Sequence, residues 1–223
     1  MPQSYFTPHL PSALVVLAFL GTGFFLLTAL LAALVTLGLG RRRLARGLSL
    51  ASLGGGALYF AVLVAVSLVS REQVLRKGDR KYFCEMDCHV AYSLEEVATK
   101  PLANATRCIV SIQTWFDPDT IASFRGNAPL TPNPREVFVV DESGHSHGPS
   151  PAGMAALERQ RGNPSTPLSR ELRPGESYST TLVFDLPEGT HRPRLFLADT
   201  PGLEVFLIDH ENSLFHKKIY FAL

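Results

Sequence analysis

The chain has 223 residues, a formal net charge of +1 and three cysteines. A near-neutral balance with no long basic stripe argues against a nucleic-acid surface, and three cysteines are too few for a mini-domain built on disulfides. The averages conceal two populations, with apolar residues crowded before residue 70 and charges concentrated after it.

Residues 1–40 contain no Lys, Arg, Asp or Glu. The apolar run at about 11–39 exceeds the ~20 residues that a helix rising about 1.5 Å per residue needs to cross a bilayer core. It lacks the basic start of a signal peptide and is longer than the apolar part of one. An Arg-rich loop follows at 40–47 (GRRRLARG), and then a second run long enough to span, at 48–70. Gly21, Gly23, Gly54, Gly55 and Gly56 either let two helix backbones approach closely or are simply tolerated in lipid. The four arginines between the runs place that loop in the cytoplasm, and hence both termini outside it. Arg71, Arg76, Lys77, Arg80 and Lys81 are a counter-signal, on the side of the larger domain.

Residues 71–80 read as a linker and 81–223 as one β domain, in which short apolar runs alternate with Pro, Gly, Asn and Asp. Strands are expected near 88–97, 107–116 and 135–140, the last ending in the hairpin turn Asp141-Glu142-Ser143-Gly144. A Gly-, Pro- and Ser-rich loop at 148–166 contains a short helix near 154–161. A turn at Pro174-Gly175 leads into a strand at 178–186, and further strands are expected at 194–198, 204–208 and 218–222.

The stretch 172–189, LRPGESYSTTLVFDLPEG, with REVFVVDESGHSHGP before it, resembles the DUF4352-like, immunoglobulin-like domains of bacterial membrane-anchored and secreted proteins. The resemblance covers roughly residues 90–208. It implies an extracytoplasmic sandwich of seven to nine strands and carries no catalytic residues. The fold expectation is therefore an N-terminal transmembrane α-helical hairpin followed by an all-β immunoglobulin-like sandwich.

Three groups of residues are candidates for chemistry. Cys84, Cys88 and His89, with Met86 between them, offer ligands suited to copper or zinc. On an extended strand the two cysteines would lie ~13 Å apart, too far for one ion or a disulfide, so the reading depends on a turn. A two-helix anchor, an outer β domain and a Cys-x-x-x-Cys pair also resembles, in outline, subunit two of haem–copper oxidases. There the pair lies late in the domain with His and Met close behind, whereas here it opens the domain and nothing matching follows. The structural alternative makes Cys88 and Cys108 small core residues, or places two of the three cysteines in a disulfide. His145 and His147 share a strand face about 6.6 Å apart, a spacing that lets two imidazoles hold one ion and that also suits an exposed hairpin arm. Asp209, His210 and His216 form a base-and-orienter set, but no nucleophile motif accompanies them, and turn capping by Asp209 and Asn212 explains the segment without catalysis.

The sequence thus points to a binding or accessory module with no cofactor, partnered by the lipid bilayer and by another membrane or envelope protein. Metal handling with copper or zinc is the alternative.

Overall fold

The computed structural model describes residues 3–7, 12–83, 89–200 and 202–223. In chain order the elements are β1 (Ser4–Thr7), α1 (Ser12–Gly38), α2 (Arg42–Val69), β2 (Gln73–Leu75), β3 (Arg80–Phe83), β4 (Val90–Pro101), β5 (Ala105–Phe116), β6 (Arg135–Val140), β7 (Ser146–His147), α3 (Pro151–Arg161), β8 (Ser177–Pro187), β9 (Arg194–Asp199), a 3-10 turn (Leu203–Phe206) and β10 (Ile219–Ala222). They form two units, one of Met1–Thr7, Glu72–Pro201 and Lys218–Leu223, the other of Pro8–Arg71 and Gly202–Lys217.

In the helical unit, α1 and α2 are both long and apolar enough to cross a membrane. α1 ends because Gly40 adopts φ +74°. That conformation lets Gly40 N–H reach Leu37 O and Arg41 N–H reach Thr36 O, at 3.0 and 2.8 Å, the double bond that closes a left-handed C-cap. The expected loop at 40–47 is correspondingly short: Arg42, Arg43 and Arg46 already lie in the first turns of α2, since Arg, Leu and Ala are good helix formers. The glycines divide by face. A Cβ on Gly55 would lie 2.8 Å from Phe25 Cε1 and one on Gly56 3.6 Å from Leu26 Cδ2, whereas Gly21, Gly23 and Gly54 face open space. Gly55 is therefore the glycine on which the close approach of the two helices depends, since 3.6 Å is an ordinary contact.

The β unit has two five-stranded sheets, ordered β1-β3-β4-β5-β8 and β2-β10-β9-β6-β7. β1 runs parallel to β3 and β2 parallel to β10, while the other pairings are antiparallel. The chain thus gives one edge strand to the first sheet before α1 and one to the second sheet just after α2. The expected boundary at residue 81 moves accordingly. The stretch 71–80, read as a linker, contains β2 and the start of β3, whose register charged neighbours hid in the sequence.

One core lies between the sheets. Tyr92, Leu94, Cys108, Val110, Ile112 and Phe184 come from the first sheet, and Val139, Leu195, Leu197 and Phe221 from the second. Each large apolar side chain removed from water there contributes about 2 kcal/mol. The alternations read along 107–116 and 178–186 supply much of this face. The strand expected near 88–97 is present as β4, Val90–Pro101, with Cys84 and Cys88 outside the described residues. One expectation fails. The strand expected at 204–208 is instead the 3-10 turn followed by further turns, because a short apolar run has no periodicity that separates strand from helix.

α3 starts at Pro151, earlier than expected. Ser150 caps it, its Oγ accepting from Gly153 N–H at 3.0 Å. The same hydroxyl donates to Asp185 Oδ2 at 2.5 Å, and Arg107 grips Asp185 with two bonds of 2.6 and 2.9 Å across the β5–β8 pair. Arg107, followed by Ser150, holds the Asp185 carboxyl below its ordinary range against the opposing effect of burial. A Cβ on Gly153 would come within 2.5 Å of Val183 Cγ1, so the absent side chain is what seats α3 on β8.

Candidate functional site

Docking α3 on β8 leaves a groove of about 600 Å³ between β6, α3, β8 and the loop at 163–169. Phe138, Met154, Leu168 and Leu182 line it. Its volume falls in the range of about 300–1,000 Å³ typical of ligand sites, and its lining is mostly apolar, as in such sites. Arg135 lies at one end, its guanidinium ion-paired with Asp199 and 4.2 Å above the Phe83 ring. Glu136 and Glu158 also line the groove, and neither makes an ion pair among the described residues. With Arg135 neutralised, the groove carries negative charge. Thr180 is buried, and its Oγ1 meets no hydrogen-bond partner among the described residues.

This site has no contiguous signature in the sequence. Its residues are scattered from Pro134 to Leu182, and only the loop-rich composition of 148–166 hinted that something besides strands lay there.

The candidates found in the sequence fall in three places. His89 lies at the foot of β4; its ring is 5.2 Å from that of Phe116 and its carbonyl accepts from Asp117 N–H at 2.8 Å. Cys84 and Cys88 precede it, outside the described residues. The ends of their connection are fixed, because Phe83 and Val90 face each other in the antiparallel β3–β4 pair.

His145 and His147 do converge, on Asp141. His145 Nδ1 and His147 Nε2 stand 3.4 and 3.2 Å from the same carboxylate oxygen, Asp141 Oδ2. Arg135 packs on Phe83 at one end of β6 and Asp141 follows its other end, so six residues of strand put Phe83 and the two histidines roughly 20 Å apart. Among the described residues no group of three or more His, Cys, Asp or Glu is arranged to hold a metal ion.

Burial opposes ionisation of Asp141, but hydrogen bonds from His147 and from the backbone N–H groups of His145 and Ser143, with the charge of His145, outweigh it and lower its pKa. A carboxyl depressed on folding stabilises the fold above its ordinary pKa, and that contribution is lost as pH falls through the depressed value. The Asp141 carboxyl is therefore expected to titrate, by carbon NMR, below the ordinary value of about 3.9. In Asp141→Asn the amides of Ser143 and His145 are expected to exchange faster; an ordinary midpoint with unchanged exchange contradicts this account of the turn.

Cys108 is a buried free thiol, facing Thr99 on β4 and Phe184 on β8. Burial pushes its pKa up to about 11, so at neutral pH it is a protonated, inert thiol. Iodoacetamide is expected to modify it only after denaturation, as read by mass spectrometry; modification in the native protein at the rate of a free thiol contradicts this.

Asp209 and His216 are brought together, with His216 Nε2 3.5 Å from Asp209 Oδ1 and both side chains buried. His210 Nδ1 accepts from Asn212 N–H at 3.1 Å. Ser213, the nearest hydroxyl in sequence, donates to Leu207 O. The segment is a run of linked turns, and this hydroxyl is committed to one of them.

No family model matches the chain, and no curated protein matches it. Solved structures similar to part of it include a conserved hypothetical protein from Bacillus anthracis, 15% identical with a TM-score of 0.36, over 49% of this chain and 81% of that one. The secreted protein MPT63 from Mycobacterium tuberculosis is 8% identical with a TM-score of 0.41, over 70% of this chain and 100% of that one. The yjhA protein from Bacillus subtilis is 15% identical with a TM-score of 0.35, over 58% and 87%.

Proposed function

We propose that this protein is a membrane-anchored binding module: α1 and α2 cross the bilayer, and an immunoglobulin-like sandwich stands outside the cytoplasm and holds a partner in the groove beside α3. The groove itself carries the reading, with its apolar lining and two glutamates that make no ion pair among the described residues. That combination suits a segment of another membrane or envelope protein bearing apolar and basic side chains. The membrane part is supported by length and composition and by the β1–β3 pairing. β1 precedes the helical hairpin and β3 follows it, so two crossings return the chain to the side where its tail already is. The four arginines around the α1–α2 turn favour the cytoplasm for that turn.

The test is photo-crosslinking in native membranes, with a photoreactive residue at Phe138 or Met154 of the full chain. A discrete crosslinked protein, identified by mass spectrometry and lost in Glu136→Lys/Glu158→Lys, is the expected result. Crosslinking no stronger than from Glu188, an exposed turn residue outside the groove lining, counts against the groove.

Metal handling by Cys84, Cys88 and His89 is a second reading, favoured by one observation: their connection leaves and re-enters the sheet at facing positions. Copper or zinc in stoichiometric amount in the full chain, absent from Cys84→Ser/Cys88→Ser, would establish it. A metal-free chain with these thiols titratable or disulfide-bonded would dismiss it.

A further inference from the structure

The segment Gly202–Lys217 belongs to the helical unit, and its burial is inverted. Leu203, Phe206, Leu214 and Phe215 are exposed, Leu203 by 67% and Phe215 by 66%, whereas Asp209, His210, Glu211, Ser213 and His216 are all buried. A water-exposed segment sorts its side chains the other way.

Two hydrogen bonds fix where this segment runs. Lys217 N–H donates to Ser70 Oγ at 2.8 Å, at the C-terminal end of α2. Tyr59 O–H donates to Phe206 O at 2.7 Å. Eleven helical residues separate Tyr59 from Ser70, a distance of about 16 Å along α2, and helical side chains lean further toward the N-terminus. Half of a bilayer hydrocarbon core is about 15 Å. If the apolar stretch of α2 that ends at Val69 fills the core, Phe206 lies near the middle of it.

Backbone at that depth must satisfy its polar groups internally, and four of this segment's N–H groups do so on the carbonyls of its own turns. Leu207 N–H bonds Glu204 O, His210 N–H bonds Leu207 O, Ser213 N–H bonds His210 O and His216 N–H bonds Ser213 O. Asp209 faces His216, and Asp209, His210 and Glu211 all have interaction partners. Glu204 is the one acidic residue in the run 203–208, and it folds back against Gly202.

From the inverted burial and the anchoring along α2, we infer that residues 202–217 form a re-entrant segment that dips into the outer leaflet beside α2, with Leu203, Phe206, Leu214 and Phe215 against lipid. The bilayer contact is then three-part: two helices and one returning loop from the end of the chain. This rests on the membrane-anchoring reading, and the experiment separates the two.

The full chain, with its single tryptophan replaced (Trp115→Phe), is reconstituted into nanodiscs of ordinary or brominated phosphatidylcholine. One tryptophan is then introduced, as Phe206→Trp, Phe215→Trp or, as a lipid-facing helix control, Leu58→Trp. Bromine quenches only emitters within the acyl region. Phe206→Trp and Phe215→Trp are expected to lose the same fraction of their emission as Leu58→Trp. If Leu58→Trp is quenched and both loop variants are not, the re-entrant loop is overturned and the anchor stands. If Leu58→Trp is not quenched either, the anchor itself falls and the inference with it.

Discussion

Lys81→Ala is expected to destabilise the β unit by about 3 kcal/mol, and Lys81→Met to recover less than half of that loss. Lys81 lies in the middle of β3 and is completely buried. Its ammonium crosses from the first sheet to the second, donating to Leu197 O of β9 at 2.8 Å and to Ile219 O of β10 at 3.2 Å. The rings of Phe83 and Phe196 lie 4.9 and 5.0 Å away. Burying a lone ammonium costs several kcal/mol; two charge-assisted bonds and two aromatic faces offset that cost. Met keeps the stem volume and removes the donor, so the two variants separate packing from hydrogen bonding. Urea unfolding of the full chain in detergent, followed through Trp115 emission, reads both. A Met variant as stable as the wild type would mean that only the hydrocarbon stem matters.

Tyr5→Ala/Phe6→Ala is expected to cost a similar ~3 kcal/mol and to produce oligomers. Tyr5 packs against the core between the sheets, and Phe6 stacks on Tyr82 at 4.7 Å. Tyr82 in turn donates to Asp117 Oδ2 at 2.6 Å; burial, reinforced by Asp117, pushes its phenol up to about 12. Two backbone contacts hold β1 from its other end, Gln3 N–H to Asp79 Oδ1 and Arg80 N–H to Gln3 O. Without its two aromatic anchors the four-residue strand has little to hold it, and β3 becomes an exposed edge open to pairing with another chain. Light scattering after size-exclusion chromatography and the same urea experiment check this. A monomer of unchanged stability would show that β1 is ornamental, and would remove the strongest structural link between the tail and the β unit.

Much of this architecture can be read in the sequence, for identifiable reasons. Forty residues without a Lys, Arg, Asp or Glu leave few alternatives to a long apolar helix. Strict alternation along 107–116 and 178–186 marks half-buried strands, and it also places Cys108 correctly in the core. β1 was not legible, because four residues before an apolar run carry no period of their own. β2 and β3 were hidden among Arg71, Arg76, Lys77 and Arg80, and nothing in the pattern shows that Lys81 turns inward.

The candidate sites divide in the same way. The His145-x-His147 spacing gave no sign of Asp141, whose carboxylate both imidazoles approach because the β6–β7 turn is tight. The groove arises only from how α3 sits on β8, and that depends on a missing Cβ at Gly153, a close approach with no signature in a single sequence.

In the proposed arrangement an anchor of two crossings carries the sandwich outside the cytoplasm. Paired reporter fusions in a bacterial host test it most directly, with alkaline phosphatase or green fluorescent protein joined after Arg43 or after Leu223. An active phosphatase and a dark fluorescent protein are expected after Leu223, with the reverse after Arg43. Fluorescence after Leu223 together with phosphatase activity after Arg43 would put the β unit in the cytoplasm and contradict it.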